Sequence, residues 1–177
     1  IDLDLERIPL SELLNDLDQT IQPMMLKHNN VFEVDSDPEL VEIVSDPQKI
    51  KQILLNLLSN AAKFTKDGTV TLSVSPTIGE MVNFSVVDSG VGIPKQALER
   101  IFESFRQIDN SHSRSFDGTG LGLTISKRLA HILNGTIRVE SEPNVGTTFT
   151  LSLPAVHPEF AEPTLPNNRP PTAYPYN

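Results

Sequence analysis

The stretch Pro47–Phe64 constrains this chain more than any other, because it carries two stripes of opposite character at helical spacing. At about 100° per residue, Ile50, Ile53, Leu54, Leu57, Leu58, Ala61 and Phe64 form one broad apolar face. Asp46 stands where an N-cap belongs and Pro47 suits the first helical position, so the spacing predicts a helix over 47–64. A face this wide has to be covered by another layer. Gln52, Asn56, Asn60 and Lys63 fall on a second stripe, at spacings of four, four and three. On a generic helix such a stripe is a solvated face. Two Asn add little helix propensity, however. Amide oxygens suit a hard cation such as Mg²⁺, and a Lys ammonium meets phosphate charge.

The rest of the chain supplies the second layer. Residues 11–21 read as a short amphipathic helix with Leu13, Leu14 and Leu17 on one face. Short strands are expected over 31–34 and 41–44, and Asp67-Gly68 marks a turn. Residues 69–75 alternate strictly, and 81–87 repeat the alternation with Val82, Phe84 and Val86, as half-buried strands do. A helix is expected over 94–102, a polar loop over 108–117, and a helix over 121–133. That helix stops at Asn134-Gly135, where Gly is expected to take the left-handed C-terminal conformation. Strands over 137–140 and 147–153, joined through Asn144-Val145-Gly146, close the pattern. The order predicts an α+β fold: a two-layer α/β sandwich, with a mixed, mostly antiparallel sheet covered on one face by helices. Seven of the last 24 residues are Pro and no apolar period survives there. The domain is therefore expected over 1–153, and a Pro-rich, disordered or extended tail over 154–177.

Composition narrows the partners. A net charge of −9 argues against nucleic acid, which needs a cationic face. A polyanionic ligand would need its charge met locally, by a metal, a few cations and backbone N–H groups. No Cys is present, which excludes a disulfide framework and thiolate chemistry. No run approaches the roughly 18–20 apolar residues of a membrane span and no signal peptide opens the chain, so a cytoplasmic location is expected for the domain. The parent protein could still be membrane-anchored.

Two glycine-bearing segments flank helices. Asp88-Ser89-Gly90-Val91-Gly92-Ile93 follows a strand directly, which puts an acceptor at the strand end and a tight turn behind it. The same residues also make an ordinary turn. Asp117-Gly118-Thr119-Gly120-Leu121-Gly122-Leu123 opens the helix over 121–133, where free N–H groups and the helix dipole favour an anion. A dinucleotide fingerprint would follow the first strand of a βαβ unit. Here a polar loop precedes the motif, and Glu140 lies beyond a whole helix. A phosphate loop of the Gly-Lys-Ser/Thr kind is excluded by the missing Lys.

In order and spacing, these elements resemble the catalytic ATP-binding domain of sensor histidine kinases, within the superfamily shared with DNA gyrase, heat-shock chaperone ATPases and mismatch-repair ATPases. The resemblance covers roughly residues 43–153. Residues 56–65 are similar to the family's N box, 88–93 to its first glycine box, and 102–105 to its F box. Residues 117–123 are similar to its second glycine box, and 146–149 to its closing Gly-Thr element. It implies the Bergerat ATP-binding fold, with ATP and Mg²⁺ as cofactors. Asp88 would bind the adenine amino group, with Gly92 near the base, and Phe64 would line the nucleotide site. Asn60 would be the main Mg²⁺ ligand with Asn56 beside it or also coordinating, and Lys63 would contact phosphate. Gly118, Gly120 and Gly122 would offer phosphate-facing backbone. The loop between Phe105 and Gly118 would be a mobile lid carrying Arg114 toward the γ-phosphate. Gly90, Ile93, Phe105, Thr119, Leu121, Leu123 and Thr148 complete the implied nucleotide contacts.

One position divides the superfamily. The gyrase, chaperone and mismatch-repair branches carry a water-activating Glu four residues before the metal-binding Asn, where this chain has Asn56. An amide does not take a proton from water at neutral pH, so poor hydrolysis is expected, with phosphoryl transfer to an external nucleophile retained. The phospho-accepting His of a complete kinase has no counterpart. His28 reads as a loop residue, His112 as part of the lid, His131 as helix surface and His157 as tail. The chain is therefore expected to be a fragment: a monomeric catalytic domain. Its partners would be a histidine-bearing dimerisation domain and the receiver domain of a response regulator. Two rivals stand beside this reading: a nucleotide-binding module that signals by docking, and a superfamily ATPase or serine-directed relative. Asn60, Asp88 and both glycine loops speak against the first, and Asn56 against the ATPase.

Overall fold

The alternation read in residues 69–75 and 81–87 becomes two long paired strands at the centre of a sheet. The computed structural model describes residues 2–101 and 120–161. Its elements are β1 (Glu6–Pro9), α1 (Leu10–Lys27), β2 (Val31–Ser36), β3 (Glu42–Ser45), α2 (Pro47–Phe64), β4 (Thr69–Thr77) and β5 (Met81–Asp88), followed by α3 (Lys95–Leu98), α4 (Gly120–Ile132), β6 (Thr136–Glu142) and β7 (Gly146–Pro154). Five strands form one sheet in the order β2-β4-β5-β7-β6. Only the β2–β4 pair is parallel. β1 and β3 form a separate antiparallel pair.

Register carries one side-chain set of each central strand to the same face. Val74 lies opposite Phe84 and Leu72 opposite Val86, while across the next seam Phe84 meets Leu151 and Val82 meets Leu153. These residues are buried with Leu13 and Leu17 of α1, Ile50, Ile53, Leu54, Leu57 and Leu58 of α2, and Ala130 and Leu133 at the end of α4. The partner positions Thr71, Ser73 and Ser75 carry hydroxyls to the other face. The expected two-layer sandwich is borne out, with α2 touching α1, α4, β4 and β5. Among the described residues no helix is long and apolar enough to cross a membrane.

α2 has the expected bounds because its start is strongly specified. Asp46 Oδ1 accepts the N–H groups of Gln48 (3.1 Å) and Lys49 (3.2 Å). Burial pushes its carboxyl pKa up, but the Asp4 N–H and the Lys49 ammonium, each hydrogen-bonded to Oδ2, help to bring it below the ordinary value.

Other elements depart from expectation for visible reasons. α1 runs to Lys27 rather than residue 21, through Pro23. Pro23 is exposed, and the apolar stripe continues past it to fully buried Met25. β1 gave no sequence signal, because only Ile8 of its four residues is buried. α3 is a single turn with no buried residue, and Phe102 lies outside the described residues. At the end of α4 the left-handed residue is Asn134 (φ 62°), not Gly135. Asn tolerates that conformation, and Gly135 meets a different need: a Cβ there would collide with the Ser152 carbonyl of β7.

The expected boundary at Leu153 falls short. Val44 N–H donates to the Ala155 carbonyl and His157 N–H to the Val44 carbonyl, both at 2.8 Å. The His157 ring is buried, not in a loose tail. Its Nδ1 accepts the Glu159 N–H (3.1 Å), which leaves Nε2–H to donate to the Ile132 carbonyl (3.3 Å). Residues 162–177 lie outside the described residues.

Candidate active site

Asp88 ends β5 between Val70 of β4 and Thr147 of β7, on the helix-covered face of the sheet. It is 8% exposed. The Gly90 N–H donates to its Oδ1 at 2.9 Å. Burial raises the Asp88 pKa above the ordinary 3.8, and the Gly90 and Thr147 N–H groups and the Thr65 hydroxyl pull it part of the way back. The Thr65 hydroxyl is itself buried, and among the described residues it makes no well-formed hydrogen bond. A carboxylate acceptor and a hydroxyl therefore sit together in a desolvated place, where an amine donor on a ligand would find a partner.

The loop after Asp88 is held on both sides. Val91 N–H donates to the Phe64 carbonyl at the end of α2 (3.3 Å), and the Val91 carbonyl accepts the Asn144 N–H (2.7 Å). Gly92 adopts φ +73°, and a Cβ there would meet the Glu142 carbonyl, so no other residue fits without displacing the β6–β7 turn. Ile93 is buried, and its N–H donates to Ser141 Oγ (2.7 Å). Ser141 Oγ donates to the Gly146 carbonyl (3.0 Å), so its 2.8 Å contact with Thr147 Oγ1 is donated by Thr147.

Thr148, expected among the nucleotide contacts, is not brought to this site. It pairs with Val87, whose side chain leaves the sheet on the face opposite Asp88. Its neighbour Thr147 pairs with Asp88 and is buried on the same face. The choice between adjacent threonines is a matter of strand parity, which the Gly-Thr-Thr sequence alone does not decide.

α2 brings its polar stripe to the same end of the molecule, with exceptions. Asn60 is buried, and among the described residues its amide has no hydrogen-bond partner. An amide oxygen on this stripe of the helix fits a hard cation with oxygen ligands. Asn56 is half-buried and donates from Nδ2 to Ser126 Oγ of α4 at 3.0 Å. Lys63 is exposed and Phe64 half-buried, whereas Gln52 faces solvent earlier on the helix. Sequence reasoning missed Asn30. Its buried Nδ2 donates to the carbonyls of Ala62 (3.2 Å) and Thr65 (2.8 Å), and its Oδ1 accepts the Gly68 N–H (3.1 Å). It thus closes the C-terminal turn of α2, beside Phe64 and Thr65. A lone Asn before a short strand carries no periodic signal by which it could be found.

The second glycine segment does open a helix. Gly120 starts α4, with Leu121 and Gly122 in its first turn and Leu123 buried behind them. A helix start of this kind presents unpaired N–H groups. Phe105, Arg114, Gly118, Thr119, His112 and the expected lid lie outside the described residues.

Comparison with known proteins agrees with this fold. The "Hybrid signal transduction histidine kinase B" of Dictyostelium discoideum is 46% identical over 123 residues, which is 67% of this chain and 6% of that protein. Full-length ShkA, solved in complex with AMPPNP, superposes with a TM-score of 0.77 at 34% identity, over 87% of this chain and 32% of its own. The catalytic domain of histidine kinase ThkA gives 0.74 at 28% identity, over 86% of this chain and 97% of its own. ThkA has also been solved with the response regulator TrrA. The chain thus spans a small part of its curated relatives and nearly the whole of an isolated catalytic domain. Residues 45–157 match the family described as "Histidine kinase-, DNA gyrase B-, and HSP90-like ATPase", and the chain belongs to that family.

Proposed function

We propose that this chain binds Mg·ATP and transfers the γ-phosphoryl group to a histidine on a separate dimerisation domain, for relay to the aspartate of a response regulator. The observation that carries this reading is Asn56 on the polar face of α2, one turn before the buried Asn60. Asp88 accepts the adenine amine, with Gly90, Gly92, Ile93 and Phe64 around the base. Thr147 takes the place expected for Thr148. Asn60 and Asn56 offer amide oxygens to the metal and Lys63 offers charge to the phosphates. By resemblance, Gly118, Thr119, Gly120, Leu121 and Gly122 would offer backbone N–H groups to the phosphates with Leu123 behind them, and Phe105 and Arg114 would belong to a lid; of these, Phe105, Arg114, Gly118 and Thr119 lie outside the described residues. Mg²⁺, when bound, would neutralise phosphate charge during transfer.

No carboxylate stands at position 56, so water is not deprotonated there and the phosphoryl group waits for an external nucleophile. ShkA with AMPPNP and the ThkA–TrrA complex support the nucleotide and the regulator as partners by likeness. A coupled assay with saturating Mg·ATP tests the reading. The unmodified chain should bind nucleotide yet turn it over very slowly without an acceptor. Fast hydrolysis would make it an ATPase instead.

A further inference from the structure

The hydrogen bond between Asn56 and Ser126 crosses the seam between α2 and α4, the two helices that carry the metal and phosphate elements of the proposed site. Ser126 is 2% exposed. A hydroxyl so deeply buried is unfavourable unless it is bonded, and alanine would fill nearly the same space. Its value at this seam therefore lies in the bond to Asn56.

An amide has a donor end and an acceptor end. With Nδ2 committed to Ser126 at 3.0 Å, the carbonyl oxygen of Asn56 takes no part in this contact. Only that oxygen can meet a cation or orient a water; the NH₂ end would be repelled by a metal. We propose that Ser126 is a positioning residue: by holding the NH₂ end of the Asn56 amide it keeps the oxygen end for the Mg²⁺ ion of the proposed site. The inference rests on the metal site of the proposed function and adds to it the group that sets the orientation. Partners of this kind fix the direction of groups that touch a metal, and their loss typically costs about tenfold or more in affinity or activity.

The test is calorimetric binding of a non-hydrolysable ATP analogue, with Mg²⁺ and with EDTA, to the unmodified chain, Ser126→Ala, Asn56→Ala and the double variant. The ratio of the two affinities isolates the metal-dependent part. Ser126→Ala should lower that ratio about tenfold, leave the EDTA affinity unchanged and add nothing in the Asn56→Ala background. An unchanged ratio, an equal loss with and without Mg²⁺, or an undiminished further loss in the Asn56→Ala background overturns the assignment. If the unmodified chain gains nothing from Mg²⁺, the metal site itself fails and this inference falls with it. That arm separates the two failures.

Discussion

The Gly90 N–H donates to Asp88 Oδ1 at 2.9 Å, so the first residues of the glycine loop hold the carboxylate that the loop leaves beside the candidate base site. The arrangement makes Asp88 a fixed acceptor in a desolvated place, which costs the empty domain stability.

The cost is measurable. Burial raises the Asp88 pKa above 3.8, so the folded form binds its proton more tightly than the unfolded chain does. Stability is therefore undiminished below the unfolded value and falls as pH rises through the folded one. Asp88→Asn is expected to be at least as stable as the unmodified chain at pH 7 by thermal melting, with any gap closing below about pH 4. Its new NH₂ group would face the adenine amine of the proposed site, so nucleotide affinity should fall by about 1–3 kcal/mol, roughly fivefold to 150-fold. A variant that melts earlier but binds normally would remove Asp88 from the site.

Strand parity gives a second test. Thr147→Val removes the hydroxyl that donates to Ser141, which in turn holds the Ile93 N–H of the glycine loop. Nucleotide affinity is expected to fall severalfold, in line with about 1 kcal/mol for a lost hydrogen bond. Thr148→Val, on the opposite face, should bind as the unmodified chain does. The reverse ranking in a titration would restore the assignment first read from the sequence.

Asn30 is expected to matter for stability. Asn30→Ala leaves the Ala62 and Thr65 carbonyls and the Gly68 N–H without their partner. Leaving buried backbone groups unpaired costs about 2–3 kcal/mol. Denaturant unfolding should show the loss as a lower midpoint with an unchanged slope. A shift within about 0.5 kcal/mol would mean that solvent replaces the Asn30 amide.

These tests fall where the sequence was least informative. α2 was legible to its ends because Asp46, Pro47 and the apolar period all specify the same helix. β4 and β5 were legible because one face is buried and the other is not. β1 was not, since one buried residue makes no pattern. The packed segment after Leu153 was obscured by its prolines, although its backbone pairs with Val44. At the site, motif order pointed to Asp88, Asn56 and Asn60, the residues on which the proposed function rests. It put Thr148 rather than Thr147 among the expected contacts, and gave no sign of Asn30 or of Ser126, whose proposed role rests on a tertiary contact.

The central claim is phosphoryl transfer to a histidine, and the most direct measurement is incubation of this chain with Mg²⁺ and γ-labelled ATP beside a panel of histidine-bearing hairpin domains. The account predicts acid-labile label on the histidine of at least one hairpin, none on a hairpin whose histidine is replaced, and little free phosphate without an acceptor. Label released mainly as free phosphate, or label on a serine of the acceptor, would contradict it.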